Sequence, residues 1–354
     1  MNLFFLAALS TSILPVQPSQ PNRQPQLAAA PGLTALAFGS GNSIWFAASR
    51  DNGHNFSSPI QITQGAVLAL GRHRGPRVTI SGDAILVSAV LGKSLAAGPH
   101  AHGLPSDGDL VTWRSTDGGM TWSQPTVVND VPAAAREGLH AIAAGPHGEI
   151  AATWLDLRAT GTKLYGAYSR DNGASWSKNV LLYESPEGTI CQCCDPSIVS
   201  TGNGKFQVMF RNVLGGARNM YLADWDLSMP VTKVQKLGVG SWNLNACPMD
   251  GGGLARRGKS LVTAWRRDET VYLDDPGQPE VALGEGKDVA LALSPKGPYV
   301  AWVSKSGIEV HAPSEKTPVC LSPTGSFPAL ANLPNGSVLA AWEEDGQIHL
   351  KVLE

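Results

Sequence analysis

Ser115-Thr-Asp117-Gly-Gly119-Met-Thr-Trp122 is one of three copies of the pattern Ser-x-Asp-x-Gly-x-x-aromatic. The other two are Ser49-Arg-Asp51-Asn-Gly53-His-Asn-Phe56 and Ser169-Arg-Asp171-Asn-Gly173-Ala-Ser-Trp176, so the copies start 66 and 54 residues apart. In such a hairpin turn the Asp accepts backbone N–H bonds, the Gly supplies a positive φ, and the aromatic ring packs against the sheet. A turn repeated at these intervals predicts a repeated sheet, and therefore a β-propeller.

The pattern resembles the Asp-box, or BNR, repeat of the sialidase superfamily. The resemblance implies a six-bladed β-propeller, with each Asp-box at the outer rim between the last two strands of a blade. We therefore expect Asp51, Asp117 and Asp171 to be structural residues whose carboxylates are bonded to backbone amides. The three copies cover only the first half of the chain.

A second repeat continues to the end of the chain. In each unit a strand start is followed by a Gly turn and by an apolar run that ends near an aromatic residue. Runs such as 149–154 and 337–342 are rich in small, β-prone residues, which is typical of buried inner strands. Six units are found, at 76–90, 139–154, 196–210, 248–265, 288–302 and 328–342. With a further pair of strands near 43–62, the sequence predicts an all-β, six-bladed propeller, and seven blades are possible.

Composition and charge agree with a turn-rich globular protein. The 354 residues include 39 Gly and 25 Pro, and only 16% of them are charged. No linker is found within residues 33–354, so we expect a single propeller domain there. The net charge of −2 indicates neither nucleic acid nor an anionic membrane as a partner.

The first 32 residues differ from the rest. An apolar run from Leu3 to about Leu14 precedes a Pro/Gln-rich stretch that ends at Ala30. This composition resembles a signal peptide followed by a disordered spacer, and it predicts an exported protein. Because no Lys or Arg precedes the apolar run, an uncleaved N-terminal anchor is the alternative.

Four of the five cysteines fall in two short segments, Cys191-Gln-Cys193-Cys194 and Cys247-Pro-Met249. Each segment lies at the first strand of a blade, and the two blades are neighbours in the repeat. Because innermost strands line the axis of a propeller, both segments should meet at one end of the central channel. Cys320 lies in an outer strand, and we expect it to be buried.

Three interpretations of this cysteine cluster remain open. The first is disulfide bonding in an exported protein, with one bridge from Cys247 to the other segment and a second bridge within that segment. The second is a soft-metal site in which the four cysteines are joined by Met249 and His140. Such donors favour copper or zinc, and copper is preferred if Met249 participates. The third is a redox-active or nucleophilic thiol.

Arg158, Arg211 and Arg266 follow second strands at matching blade positions. Arg77, His140, Asp195 and Asp250 stand at the starts of first strands and should point towards the axis. The candidate catalytic residues are Arg77, Arg211 and Arg266. Guanidinium groups bind carboxylates in a bidentate manner, so these arginines predict an anion-binding floor. The sialidase resemblance implies an arginine cluster for the substrate carboxylate, a Tyr–Glu nucleophile and an Asp acid/base. The available residues for the Tyr–Glu pair are Tyr165, Tyr221, Tyr272 and Glu137. The family's Phe/Tyr-Arg-Ile-Pro signature is absent, and the family pattern contains no cysteine cluster.

The leading hypothesis is therefore an exported, sialidase-like propeller whose axial cysteines bind a soft metal, copper or zinc, for binding or redox chemistry. The first alternative is an exo-glycosidase that acts on small acidic sugars. The second is a non-catalytic glycan- or protein-binding propeller with structural disulfides.

Overall fold

The computed structural model describes residues 11–65, 67–98, 101, 103–231, 233–313 and 315–353. Within these ranges the chain forms 29 strands arranged in seven sheets. The described residues contain no helix that is long and apolar enough to cross a membrane. Each sheet is one blade, and the blades are numbered here in chain order.

The first described strand is β1 (Thr11–Ile13). Blade 1 contains β2 (Asn22–Ala30), β3 (Leu33–Ser40), β4 (Ser43–Ser49) and β5 (Ile60–Gln64). Blade 2 contains β6 (Val67–Leu68), β7 (Arg77–Ser81), β8 (Ala84–Gly92), β9 (Asp109–Ser115) and β10 (Thr126–Val127). Blade 3 contains β11 (His140–Ala144), β12 (Ile150–Asp156), β13 (Lys163–Ser169) and β14 (Val180–Tyr183).

Blade 4 contains β15 (Ser197–Gly202), β16 (Lys205–Leu214), β17 (Ala217–Asp226) and β18 (Lys233–Lys236). Blade 5 contains β19 (Gly252–Arg257), β20 (Ser260–Arg267), β21 (Thr270–Asp274) and β22 (Val281–Glu285). Blade 6 contains β23 (Lys287–Ser294), β24 (Gly297–Ser304), β25 (Gly307–His311) and β26 (Val319–Ser322). Blade 7 contains β27 (Ser326–Asn332), β28 (Val338–Glu344) and β29 (Gln347–Leu353).

The ring is closed by a strand from the other end of the chain. Strand β1 pairs antiparallel with β29, with Thr11 opposite Leu350 and Ile13 opposite Ile348. Blade 7 therefore has four strands, three from the C-terminal part of the chain and one from the N-terminal part. The seven sheets confirm the all-β propeller and fix the number of blades at seven. The pair of strands near 43–62 belongs to blade 1, and the strand that closes the ring comes from residues 11–13.

Blade 1 was only partly predicted from the sequence, which indicated a pair of strands near 43–62 but not the inner strand. Its inner strand, β2, lies in the Pro/Gln-rich stretch expected to be a disordered spacer. A break in the β2–β3 register between Arg23 and Gln26, with Gln24 at φ 55°, accommodates Pro25 at a bulge. The propeller therefore begins before residue 33. Residues 1–10, which hold most of the predicted signal peptide or anchor, lie outside the described residues.

The core lies between neighbouring sheets. Large aromatic rings fill the space between blades, with Trp154 packed between blades 2 and 3 and Trp225 between blades 3 and 4. Trp113, Trp154, Trp225 and Trp302 are all buried. The inner strands of successive blades contact one another around the ring, from β2 through β27 and back to β2.

The three Ser-x-Asp-x-Gly turns join the last two strands of blades 1, 2 and 3, and they have the same hydrogen bonds. In blade 2, Ser115 Oγ donates to Asp117 Oδ1 at 2.8 Å, and the Gly119 N–H donates to Ser115 Oγ at 2.9 Å. The equivalent bonds form at Asp51 and Asp171. A side chain at Gly119 would collide with Phe46 of blade 1, so the turn lies directly against the preceding blade.

Candidate functional site

The inner strands begin on one face of the ring, and the residues at their starts surround the axis. These residues are Gln24, Arg77, His140, Asp195, Asp250, Asp288 and Phe327. Gln24, Arg77, His140, Asp250 and Asp288 are buried. Two clusters can be distinguished there: an oxygen cluster formed by His73, Asp195, Asp250 and Asp288, and a sulfur cluster formed by four cysteines.

His73 reaches the axis from the loop that precedes β7. The loop is held by left-handed φ angles of 53° at Arg72 and 65° at His73. His73 Nε2 lies 2.7 Å from Asp288 Oδ1 in blade 6, and the imidazole ring contacts Phe327 edge to face. Burial lowers the pKa of His73, but the carboxylates of Asp195, Asp288 and Asp250 outweigh it and raise the pKa to about 9. Without a bound metal ion the imidazole is therefore a cation at neutral pH, and a metal ion that binds it has to displace its proton.

Asp250 is the most enclosed carboxylate of the oxygen cluster. Its residue is 1% exposed, and neither of its carboxylate oxygens accepts a hydrogen bond within the described structure. One side-chain oxygen of Asp195, Oδ1, is likewise buried and unpaired. Burial and the nearby Asp288 raise the pKa of Asp250 to about 6. Burial also acts on Asp288, but the hydrogen bond and charge of His73 lower its pKa overall.

The sulfur cluster is built from two loops of neighbouring blades, as the sequence predicted. Cys193 and Cys247 form a disulfide with a Cα–Cα distance of 6.3 Å. Cys191 and Cys194 are free and buried, and their Sγ atoms lie 2.8 Å apart. Cys191 Sγ also lies 3.8 Å from Cys193 Sγ, and Met249 packs against the group. A second bridge within the Cys191–Cys194 segment is not formed in this state.

Groups next to Cys191 favour the thiolate form of its side chain. The hydrogen bond from Cys194 lowers the pKa of Cys191 to about 6, with further help from the charges of Arg211 and Arg218. Arg218 Nη1 lies 3.4 Å from Cys191 Sγ. Burial and the adjacent Cys191 raise the pKa of Cys194 well above its ordinary value. At neutral pH the pair therefore carries one proton, with Cys194 donating to the Cys191 thiolate.

His140 does not belong to the sulfur cluster. Its side chain is buried against blade 2, where Nε2 lies 2.9 Å from Ser88 Oγ and Nδ1 lies 3.4 Å from the carbonyl of Gly138. Burial and the charge of Arg77 lower the pKa of His140 to about 3, so the imidazole is neutral. The expectation that His140 would join the cysteines was therefore wrong, because its inner strand turns the side chain towards the preceding blade. Cys320, which we expected to be buried, is exposed on β26.

Two of the three predicted arginines hold backbone groups in place. Arg77 donates to the carbonyls of Pro76 and His73. Arg211 is 1% exposed and donates to the carbonyls of Asp250, Arg218 and Arg266 at 2.9–3.2 Å. With their N–H groups directed at carbonyls, these two side chains do not form the open anion-binding floor that the sequence suggested.

Arg266 is placed differently from the other two. Its Nη2 lies 3.2 Å from Glu269 Oε1, and its Nη1 lies 3.9 Å from Asp250 Oδ2. The side chain lines a cavity of about 450 Å³ between blades 5 and 6, together with Glu285 and Lys287. Arg266 is therefore next to both the oxygen cluster and a cavity at the surface.

The available tyrosines are engaged by other residues. Arg158 lies over the ring of Tyr165 at 4.1 Å, and Arg267 lies over that of Tyr272 at 3.8 Å. Tyr221 stacks beside Tyr183, and Glu137 pairs with Arg74 at 3.2 Å. Within the described part of the chain, no hydrogen bond joins Glu137 to Tyr165, Tyr221 or Tyr272.

The clusters show which site residues a sequence pattern can locate. Asp195 and Asp250 were expected at the axis because they stand at strand starts next to the cysteine segments. Asp288 stands at the start of the fifth repeat unit, so the same argument would have included it. His73 stands four residues ahead of Arg77, so its sequence position allows it to face the same cavity, and the left-handed loop before β7 brings it there.

Comparison with known structures finds the same fold in sialidases and in an arabinanase. The Hadza microbial sialidase Hz136 has a TM-score of 0.56 at 14% identity, over 94% of this chain and 66% of its own. The intramolecular trans-sialidase from Ruminococcus gnavus has a TM-score of 0.57 at 10% identity, over 98% of this chain and 97% of its own. The α-L-arabinanase of Penicillium chrysogenum has a TM-score of 0.55 at 13% identity, over 97% and 98%.

No protein-family profile and no curated protein sequence matches the chain. The chain is thus a seven-bladed β-propeller that resembles sialidases in fold. At identities of 10–14% this likeness describes the fold alone. Function has to be argued from the two axial clusters.

Proposed function

We propose that the protein is an exported propeller that binds a soft metal ion, copper in the first instance, through its sulfur cluster. The observation that carries this proposal is the convergence of four cysteines from two loops whose bridged members are 54 residues apart. Thiolates are soft ligands that select Cu(I) and Zn(II). Arg211 and Arg218 favour the thiolate form of Cys191, which is the form that binds metal.

The sulfur separations are compatible with a shared ion. Two sulfurs bound tetrahedrally at about 2.3 Å from one ion lie about 3.8 Å apart. Cys191 and Cys193 have this separation, and the Cys191–Cys194 pair would have to open by about 1 Å from its 2.8 Å contact. Met249 packs beside the four sulfurs, and a thioether ligand would favour copper over zinc.

The disulfide makes this site dependent on redox state. While Cys193 and Cys247 are bridged, only Cys191 and Cys194 offer thiol ligands. Reduction by two electrons supplies two further thiolates and completes the set. Exported proteins are the usual setting for a disulfide, which supports export. Cys247 is solvent-exposed, so a reductant has access to the bridge from that side.

Metal titration of the purified full-length protein tests the proposal. Reduced, oxygen-free protein should bind about one Cu(I) per chain against a competing chelator, and oxidised protein should bind it more weakly. Cys191→Ser should abolish tight binding. Cys320→Ser is the matched control, because Cys320 is exposed outside the cluster, and it should bind as wild type does. If reduced protein binds neither copper nor zinc, or if Cys191→Ser binds normally, the cysteines are structural and a non-catalytic binding propeller is favoured.

Hydrolysis of an acidic sugar is the second candidate function. The cavity next to Arg266 supports it, since a guanidinium facing a cavity of about 450 Å³ can bind a sugar carboxylate. Lys287 and Lys305 line the same cavity, and their charges are opposed there by those of Glu269, Glu285 and Glu309. Incubation with an aryl sialoside tests this function. Turnover that Arg266→Ala abolishes would support it, and the absence of turnover by the folded wild-type protein would exclude it for that substrate class.

A further inference from the structure

We propose a second metal site, of different chemistry, in the oxygen cluster: a divalent cation that takes nitrogen and oxygen ligands, bound by His73, Asp250 and Asp288. Asp195 lies beside these three residues and can supply a further oxygen. Imidazole and carboxylate together suit Mn²⁺ or Zn²⁺ rather than Cu(I). This proposal does not depend on metal binding by the cysteines.

The three side chains already have the spacing of a ligand set. One ligand atom of each residue lies within 4.8 Å of those of the other two. An ion with bonds of about 2.1 Å holds its ligand atoms no more than about 4.2 Å apart, so a pair of ligand atoms at the 4.8 Å limit would have to move together by about 0.6 Å or more. Because the residues come from blades 2, 5 and 6, the site is formed by the closed ring and by no single blade.

The unpaired oxygens point independently to a ligand. Asp250 is 1% exposed, and neither carboxylate oxygen accepts a hydrogen bond in the described structure. A buried carboxylate without partners is costly, and native structures rarely contain one. The arginines nearby do not remove this deficit. Arg211 donates to backbone carbonyls, and Arg266 Nη1 lies 3.9 Å from Asp250 Oδ2, which is beyond hydrogen-bonding distance.

The loop that carries His73 is built to hold this position. Two consecutive residues other than glycine, Arg72 and His73, have left-handed φ angles. Backbone strain of this kind persists where the surrounding structure fixes it, and such positions cluster at ligand sites. Arg77 donates to the carbonyl of His73 and fixes the base of the loop. The imidazole is thereby directed at Asp288, with Phe327 against its ring.

The test uses Mn²⁺ alone as the probe, because carboxylate and imidazole ligands accept Mn²⁺ whereas thiolates select softer ions. Binding is measured by titration calorimetry on the full-length protein. We expect about one Mn²⁺ per chain, and a loss of affinity of about tenfold or more in both Asp250→Asn and His73→Gln. Asp83→Asn is the matched control, because Asp83 is an exposed carboxylate in the β7–β8 turn, and it should bind as wild type does.

Two further measurements keep the outcomes distinct. Thermal melting in the presence of EDTA shows whether Asp250→Asn is folded. If Mn²⁺ raises the Tm of wild type but not that of the folded variant, the site is supported. Cys191→Ser should retain full Mn²⁺ affinity. The proposal is overturned if wild type binds no Mn²⁺ and the Cys191→Ser variant binds no Zn²⁺. It is also overturned if Asp250→Asn and His73→Gln both bind Mn²⁺ normally, or if Cys191→Ser loses the Mn²⁺ site.

Discussion

His73 Nε2 lies 2.7 Å from Asp288 Oδ1, although the two residues are 215 positions apart and belong to blades 2 and 6. These blades are not neighbours in the ring, so the contact spans the axis. We expect His73 and Asp288 to be energetically coupled. A double-mutant cycle with His73→Ala and Asp288→Asn, measured by urea denaturation with EDTA, should give a coupling of about 1–3 kcal/mol. Additive effects of the two changes would contradict this.

Arg211 supports the backbone on which both clusters are built. Arg211→Ala would leave the carbonyls of Asp250, Arg218 and Arg266 without these donors, and we expect a loss of about 3 kcal/mol or more in the free energy of unfolding. It should also raise the pKa of Cys191, because the charge of Arg211 helps to lower it. The pH dependence of Cys191 alkylation checks the second effect. Arg266→Ala, which breaks more exposed contacts, should cost less.

The disulfide joins the segments that precede blades 4 and 5, and the loop that it closes contains all four strands of blade 4. Removal of the bridge by Cys193→Ser/Cys247→Ser should lower stability by about 4 kcal/mol in the chain-entropy model, given the separation of 54 residues. A thiol count under denaturing, non-reducing conditions should find three free thiols, those of Cys191, Cys194 and Cys320. A count of one would mean that Cys191 and Cys194 are also bridged.

Asp117 is predicted to be structural. It accepts hydrogen bonds from Ser115 Oγ, Thr121 Oγ1 and two backbone amides. Asp117→Ala should lower Tm by a few degrees and leave the affinity for copper unchanged. A folded Asp117→Ala protein that no longer binds metal would show that the turn contributes to the site.

The three turns should also contribute to acid sensitivity. Side-chain hydrogen bonds, from Asn55 to Asp51 and from Thr121 to Asp117, lower the pKa of each Asp to about 2. At Asp171 burial opposes the shift, but bonds from Ser169 and Ser175 outweigh it and the pKa is again about 2. Because the pKa in the folded state lies below the ordinary value of 3.8, this stabilisation is present above about pH 4 and is lost as the pH falls to 2.

Urea denaturation midpoints between pH 5 and pH 2 check this prediction. The triple variant Asp51→Asn/Asp117→Asn/Asp171→Asn should be less stable than wild type at pH 5, and the difference should narrow towards pH 2. A constant difference over that range would mean that the three carboxylates do not titrate as described.

Much of the fold was predictable because its turns depend on local chemistry. The Ser, Asp and Gly of each octapeptide form bonds within one turn, so the pattern is visible in a few residues. Strand β2 was missed because Pro25 and the Gln residues around it are typical of a spacer. A bulge at Gln24, which depends on contacts with blade 7, makes that stretch a strand.

The sequence predicts which residues stand at the starts of inner strands and therefore lie near the axis, but it predicts no more of the candidate site than that. The meeting of Cys191 and Cys247 near the axis follows from the repeat alone. The direction of a side chain does not, and His140 and Arg77 stand at strand starts yet bond to Ser88 and to backbone carbonyls. The position of His73 depends on tertiary contacts of its loop, which no pattern of residue types records.

The pairing of β1 with β29 has a kinetic consequence. Thr11 and Leu350 stand opposite each other across a loop of about 340 residues, whose closure costs about 5 kcal/mol of chain entropy before any contact repays it. During synthesis, blades 1 to 6 can assemble as an open arc, but blade 7 needs β29, which is synthesised after them. We expect completion of the ring to be a late and slow step of folding. The oxygen cluster takes residues from blades 2, 4, 5 and 6, and we expect it to form only when closure fixes blades 2 and 6 on opposite sides of one axis.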